Sequence, residues 1–266
     1  MYEFLYEKEV QIMDIFERKQ KILEILQRDG KVKVNELSAL FDISDVTIRM
    51  DLADLEAKGL LSRVHGGAVS SYKTYYNMNM QQRMSANQEQ KQAIAKHIVG
   101  MIEENDTIML NAGTTTLTVF RMIPTTMNLS IVTNSIAIAL EAGAIPNFNV
   151  VLLGGSINSK HQFIYGDEAI SHLQKYHADK LILSVDGITP ENGLTTFYNR
   201  EVELDKVMLS HSATRIIAAD STKLGRTAFA KIADVTEADY IITNSDMPNN
   251  EEMEQLKQLI QHVIMV

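Results

Sequence analysis

Between residues 107 and 266, seven short apolar runs recur with room for a helix between most of them, and this rhythm limits the possible fold more than any other feature. The runs are TIML (107–110), SIVT (130–133), VVLL (150–153), LILSV (181–185), RIIAA (215–219), YIIT (240–243) and HVIMV (262–266). Stretches between them, such as Glu168–Lys175 and Asn199–Ser212, have helical composition. Apolar strands alternating with helices pair in parallel through crossovers, so the expected class is α/β, a mostly parallel sheet covered on both faces. Ligands of such sheets bind beyond the carboxyl ends of the strands.

Those ends carry the polar residues. The first run leads into Asn111-Ala112-Gly113-Thr114-Thr115-Thr116 and then a helix. A glycine followed by hydroxyls at a helix start offers N–H and O–H donors to an anion, with a favourable dipole. Asn134-Ser135 follows the second run, Gly154-Gly155 the third, Asp186-Gly187 the fourth, and Asp220-Ser221-Thr222-Lys223-Leu224-Gly225 the fifth. Singly, each reads equally well as a turn or cap. Five on one edge point to a polar site for a phosphorylated, hydroxyl-rich ligand.

The first quarter of the chain has a different pattern. Phe16–Arg28 places Ile22, Leu23, Ile25 and Leu26 among charges, an amphipathic helix that Gly30 ends. In KVKVNELSALFDIS, Asn35 suits a helix cap, and Leu37, Leu40 and Phe41 form an inward face. Asp42-Ile43 makes a turn, and Ser44 caps a second helix, DVTIRMDLADLEAKG, ended by Gly59. Two short helices joined by such a turn outline a helix-turn-helix. By angle, Ile48, Leu52 and Leu55 face inward, Val46 and Met50 face away, and Thr47 and Arg49 flank them near the helix start, where a recognition helix reaches bases and phosphates. LLSRVHGGAV then reads as strand, Gly-Gly turn, strand: a wing carrying Arg63 and His65. A three-helix bundle for protein contacts is the competing reading of the helices, and the hairpin disfavours it.

Charge and composition set limits on both parts. The net charge is −9; through Lys73 there are 11 Lys/Arg against 13 Asp/Glu, and beyond it 14 against 21, so the parts carry −2 and −7. Without a strong basic field, DNA affinity must rest on a few placed contacts and on two copies acting together. Zero cysteines exclude disulfides, thiolate metal sites and cysteine nucleophiles. No apolar stretch approaches the roughly 18 residues of a membrane span, and MYEFLYEKEVQIMDIFERK is too acidic for a signal peptide, so a cytoplasmic location is expected. Residues 1–12 suit either an extra helix or an upstream start ahead of Met13. His161, His172, His177 and His211 lack a metal spacing, and Met78–Met84 lacks the regularity of a copper box, so neither metal nor cofactor is expected. The polar stretch SSYKTYYNMNMQQRMSANQEQ (70–90) reads as a linker, with Arg83 and Lys91 as solvated charges. The division is thus a DNA-binding domain at 13–69, a linker at 70–90 and a sensing domain at 91–266.

The segment KVKVNELSALFDISDVTIRMDLADLEAKGLLSRVHGGAV, within residues 18–69, resembles the amino-terminal domain of the DeoR family of bacterial sugar-metabolism regulators. AGTTT, VTNS, LLGG, YGDEA, DGIT with GLTT, the helix 201–208 and DSTKLG resemble its sensor domain, whose fold is related to ribose-phosphate isomerases and CoA transferases. The resemblance implies a winged helix-turn-helix that reads double-stranded operator DNA as a homodimer or homotetramer. Its contacts would be Ser44, Val46, Thr47, Arg49, Met50, Arg63 and His65. It implies a phosphorylated sugar effector with Gly113, Thr114 and Thr115 on the phosphate. Asp186, Glu201 and Lys223 would line the sugar, with Lys206 a weaker candidate. Asn111, Asn134, Gly154 and Gly155 complete the candidate pocket from the strand ends. Two departures stand out. Relatives usually carry Thr-Ile-Arg-Arg-Asp-Leu where this chain has Met50 as the fourth residue, and commonly Asp where it has Asn111. The stretch FIYGDEAISHLQKYHADKLILSVDGI looks closest to regulators of N-acetylgalactosamine and related amino-sugar use. A ligand-controlled repressor, not an enzyme, is the leading expectation. The alternatives are a sugar-phosphate isomerase with a DNA-binding appendage, using Asp186, Glu201 and Lys223 for acid–base chemistry, and a regulator that reads protein partners.

Overall fold

The computed structural model describes residues 15–29, 31–57, 61–69, 78–245 and 250–266. The chain divides into two compact units, Met1–Tyr75 and Tyr76–Val266. The expectations for residues 1–12 and Met13, for Gly30 and Gly59 as helix ends, and for residues 70–77 of the linker lie outside the described residues.

In the first unit, α1 (Ile15–Asp29) precedes β1 (Lys31–Lys33), α2 (Val34–Phe41), α3 (Asp45–Ala57), β2 (Ser62–Val64) and β3 (Gly67–Val69). Ile22 and Leu26 of α1, Val34 and Leu37 of α2, and Ile48, Leu52 and Leu55 of α3 are buried in one core. Two details differ from the sequence expectation. Leu40 is 63% exposed; the inward stripe of α2 is Val34, Leu37 and Phe41, and Leu40 falls to one side of it. Asn35 lies inside the first turn of α2, whose N-cap Lys33 makes no side-chain cap bond, and its Oδ1 accepts from the Glu36 N–H at 3.0 Å. Ser44 does cap α3, its Oγ accepting from the Thr47 N–H at 3.2 Å. The wing is larger than expected, because β1 joins it in a three-stranded antiparallel sheet ordered β1-β3-β2. At Gly67 a Cβ would overlap the Val32 carbonyl oxygen, so only glycine lets β3 approach β1 this closely.

The second unit begins, in its described residues, with α4 (Met80–Ser85) and α5 (Gln88–Val99). A seven-stranded sheet follows: β4 (Thr107–Leu110), β5 (Leu129–Thr133), β6 (Phe148–Leu152), β9 (Ala178–Leu183), β12 (Ser212–Ala218), β14 (Tyr240–Thr243) and β15 (His262–Met265). All its pairings are parallel. These are the seven runs read from the sequence, shifted by one to three residues at some ends. Between β4 and β5 lies α6 (Thr114–Met122), and between β5 and β6 lies α7 (Ile136–Ala142). The hairpin β7 (Ser156–Asn158)–β8 (Phe163–Tyr165) and α8 (Asp167–Leu173) lead to β9. β10 (Gly187–Thr189), β11 (Gly193–Thr196) and, after α9 (Val202–Ser210), β13 (Ala230–Ala233) form a small antiparallel sheet. α10 (Asn250–Leu259) precedes β15.

Alternate strand residues go to opposite faces, which accounts for two cores. Ile108, Leu110, Ile182 and Ile216 pack with α5, α6 and α7. Met109, Leu181, Leu183 and Ile217 pack with α8, α9 and α10. The strand order β15-β14-β12-β9-β4-β5-β6 reverses direction between β4 and β9. In sheets of this kind ligands bind at such a reversal, beyond the carboxyl ends of the two strands. No described helix is long and apolar enough to cross a membrane.

Candidate functional site

The first unit exposes the face that the helix angles predicted. Val46 and Met50 are 63% and 69% exposed, and Arg49 is exposed beside Asp45, 3.6 Å away. The hydroxyls of Ser44 and Thr47 lie 2.9 Å apart and satisfy one another at the helix start. On the wing, His65 is exposed, next to Gly66 with φ +79°. Arg63 is half committed: its Nε donates to Glu56 at 2.7 Å and its backbone N–H to the same carboxylate at 2.8 Å, which ties wing to helix. The sequence reading missed what anchors α3. Asp51, on the face turned away from the exposed residues, is buried and accepts from Arg18 Nε of α1 at 2.7 Å.

In the second unit the carboxyl ends of β4 and β9 are bridged by an amide. Asn111 Nδ2 donates to the Ser184 carbonyl at 3.0 Å, and its Oδ1 accepts from the Ser184 N–H at 2.9 Å. A carboxylate at this position accepts but does not donate, which explains what an amide does here that an aspartate cannot. Asn134 is likewise a buried staple, accepting from the Ala112 N–H at 2.8 Å and donating to the Ile164 carbonyl at 3.2 Å. Both therefore frame the site with their side chains already engaged. Asn111→Asp should lower stability by about 2 kcal/mol, since one hydrogen bond is lost and a further charge is buried; urea denaturation measures it.

At Gly113 a Cβ would overlap Ser184 Oγ and press on Ser184 Cβ at 3.0 Å, so glycine lets the loop pass close to the end of β9. α6 starts at Thr114 without a side-chain cap, leaving its first N–H groups directed out of the helix end. Thr114 and Thr115 are buried there. Thr116 bonds back to the carbonyls of Asn111 and Gly113, at 2.8 and 2.9 Å, and rigidifies the turn.

Carboxyl groups gather opposite. Asp186, Glu201 and Asp205 are each buried. Burial, then the charges of Asp205 and Asp186, push the Glu201 carboxyl well above its ordinary range. Burial, with the Asp186 charge adding to it, raises Asp205 to about 8. Glu201 Oε1 and Asp205 Oδ1 have no hydrogen-bond partner among the described residues. Lys223, in a 3₁₀ turn at Ser221–Lys223, is buried. Burial alone would raise its neighbour Asp220, but Lys223, the Thr222 hydroxyl and Lys91 outweigh it and hold that carboxylate below its usual range. Lys206 instead faces outward and pairs with Glu203 at 2.8 Å. Gly154 and Gly155 are exposed beyond β6, two strands from β4. At Gly155 (φ +144°) a Cβ would crowd the Tyr165 carbonyl at 2.7 Å.

The largest correction concerns the expected linker. Asn79 and Gln82 form a capping box that starts α4, and Arg83 is drawn into the carboxyl cluster. Its Nη2 donates to Asp186 Oδ1 at 2.9 Å, with the guanidinium 5.9 Å from the centre of the Tyr198 ring. Lys91 is 3% exposed and donates to the carbonyls of Arg83 and Ala86. Neither is a solvated charge, because the sensor unit supplies buried acceptors for both. One signal was available: Lys91, Ile94, Ala95 and Ile98 share the buried stripe of α5. His161, expected in the core or on the surface, is buried 3.0 Å from Tyr198 Oη; burial, then the Arg83 charge, lower its pKa to about 4.

A winged helix-turn-helix joined to a doubly wound α/β unit defines a two-domain DNA-binding regulator as the class. The comparisons name the family. The DeoR-like helix-turn-helix domain matches residues 18–74, and the DeoR C terminal sensor domain matches residues 86–245. The HTH-type transcriptional regulator GolR of Listeria innocua is 34% identical over 230 residues, 86% of this chain and 91% of that protein. The lactose phosphotransferase system repressor of Staphylococcus epidermidis is 31% identical over 252 residues, 93% of this chain and 100% of that protein. A protein of Escherichia coli O157:H7, provisionally described as an aga operon transcriptional repressor, is 33% identical over 252 residues, 94% of this chain and 93% of that protein. Among solved structures, ribose 5-phosphate isomerase A of Methanocaldococcus jannaschii matches at 15% identity over 52% of this chain and 55% of that one, with a TM-score of 0.38. The chain belongs to the DeoR family.

Proposed function

We propose that this protein is a cytoplasmic repressor of a carbohydrate-utilisation operon, working as a homo-oligomer whose grip on operator DNA is controlled by a phosphorylated sugar or amino sugar. The observation that carries the reading is the pairing, in one chain, of an exposed recognition face at Val46, Arg49 and Met50 with a buried polar crevice at Gly113, Asp186 and Glu201. The lactose phosphotransferase system repressor among the relatives supports the carbohydrate assignment, and the stretch FIYGDEAISHLQKYHADKLILSVDGI supports an amino sugar by its resemblance. In this reading the uncapped start of α6 takes the phosphate, and the carboxyl groups take the hydroxyls. Arg49 supplies the charged DNA contact, while Met50 and Val46 offer apolar surface to thymine methyl groups.

Arg49→Ala should abolish operator binding while a phosphorylated sugar still raises the melting temperature of the sensor unit. Gel shift and thermal shift on the same variant check both parts; full-strength operator binding would show that the recognition helix is misassigned. Glu201 and Asp205, with their raised pKa values, would also suit an isomerase acid or base. Turnover of ribose 5-phosphate or glucose 6-phosphate at useful rates would replace the sensor reading with that one.

A further inference from the structure

We propose that Arg83 is the resident occupant of the effector crevice: a sugar that hydrogen-bonds to Asp186 displaces the guanidinium and frees α4. The inference rests on the sugar-sensing reading above and adds the way the site reports its occupancy. Asp186 spends its oxygens unequally. Oδ2 accepts from Thr196 Oγ1 at 3.2 Å and from the Phe197 N–H at 3.0 Å, both held by the chain leaving β11. Oδ1 accepts from Arg83, which arrives from 103 residues away in sequence. A hydroxyl seeking this buried carboxylate therefore competes with Arg83, while the bonds to Oδ2 belong to the frame.

Apart from Arg83, α4 is tied by Lys91, whose ammonium donates to the Arg83 carbonyl from the next helix. α4 has six residues, none of them buried, and a helix this short does not persist in water without outside contacts. Met80 and Met84 only half-cover the core beside it. The same segment touches the other acidic loop of the crevice, where Asn87 Nδ2 donates to Asp220 Oδ1 at 3.2 Å. The two acidic loops thus clasp the stretch where the chain enters the sensor unit. By chain connectivity alone, that stretch is what joins the sensor to the DNA-binding unit. Releasing Arg83 converts an event at Asp186 into freedom at the entry of the sensor unit, a two-state element that both sites can bias.

The absence of cysteine makes the test clean, because Gln81→Cys on the exposed side of α4 takes a single nitroxide label. In the full-length protein the label should be slow without ligand. It should become mobile with whichever of glucosamine 6-phosphate, glucose 6-phosphate or ribose 5-phosphate raises the melting temperature. Adding Arg83→Ala should leave the label mobile from the start, tighten binding of that sugar about ten-fold and make operator affinity indifferent to it. Arg83→Lys should restore part of the slow signal. A label that stays slow when the sugar binds, or sugar binding that weakens ten-fold in Arg83→Ala, would overturn the proposal; the second result would make Arg83 a sugar contact. If none of the three sugars shifts the melt, the sugar-sensing reading is what fails. Arg83→Ala then still decides the latch, since an unchanged slow label in that variant overturns it.

Discussion

Asp51→Ala should unfold the DNA-binding unit and leave the sensor unit folded. The Arg18–Asp51 pair is 2.7 Å long, with side chains 9% and 6% exposed. Removing the carboxylate strands a guanidinium in a small core, a change that costs about 3–5 kcal/mol. A core of this size rarely supplies more than about 3–5 kcal/mol in total, so the loss rivals the whole stability of the unit. Lys19, 3.7 Å from Asp51 and paired with Asp54 at 2.8 Å, adds a second positive charge beside the stranded guanidinium instead of relieving it. Circular dichroism during thermal melting should show the helix-turn-helix transition lost and the sensor transition retained. The double replacement Arg18→Met with Asp51→Leu should recover most of the stability, because apolar pairs of similar volume commonly replace buried ion pairs without penalty. Failure of the double variant to refold would mean that the pair also fixes the docking angle of α1 on α3.

The second large effect is a fall in sensor stability as pH rises. Asp205 goes from an ordinary 3.8 to about 8 on folding, through burial first and the Asp186 charge second, and Glu201 moves the same way. A carboxyl whose folded pKa is raised binds its proton more tightly in the native state. Its contribution is therefore complete below the unfolded value and is lost as pH climbs through the folded one. Between pH 5 and pH 8 the loss should reach about 2–4 kcal/mol, given roughly 1.4 kcal/mol per unit for one group. For a unit of this size that is about 5–15 °C in melting temperature. Asp205→Asn should flatten the slope over the same interval and raise the melting temperature at pH 8. A melting temperature independent of pH from 5 to 8 in the unsubstituted protein would show that these carboxyls are ionised and solvated.

The fold was legible where burial acts on neighbouring residues. Strands covered on both faces read as continuous apolar runs, and so all seven members of the main sheet stand out in the sequence. The small sheet did not stand out. Gly187–Thr189 and Gly193–Thr196 are short, carry glycine and threonine, and are buried at every residue without an alternating pattern, their Ile188 and Leu194 lying in the core that Leu204 and Met208 share. In the first unit, Lys31–Lys33 is a strand because β3 pairs with it from across the wing, a partner that lies more than thirty residues away in sequence.

The candidate site divides in the same way. Gly113 and Asp186 are legible because strand ends and helix starts are local signals, whereas Glu201 is indicated by the family resemblance alone. Asn111 was readable as a position, but its bond to Ser184 depends on two strands that sequence alone does not place side by side. Arg83 looked like a linker charge because everything around it is polar; its partners Asp186 and Tyr198 lie more than a hundred residues further on. Asp205 escaped notice because one acid among the charges of α9 resembles a solvated face. It is buried where that helix packs against α8, β13 and the strands β9 and β12.

The measurement that bears most directly on the account is the affinity of the full-length protein for DNA, with and without phosphorylated sugar. A fragment selected by the protein from a random pool serves as operator, and fluorescence anisotropy is read while glucosamine 6-phosphate, glucose 6-phosphate or ribose 5-phosphate is added beside its unphosphorylated counterpart. At least one phosphorylated sugar should change operator affinity ten-fold or more while its unphosphorylated counterpart does nothing. An operator affinity that is unmoved by all of them, in protein whose melting temperature they do raise, would contradict it.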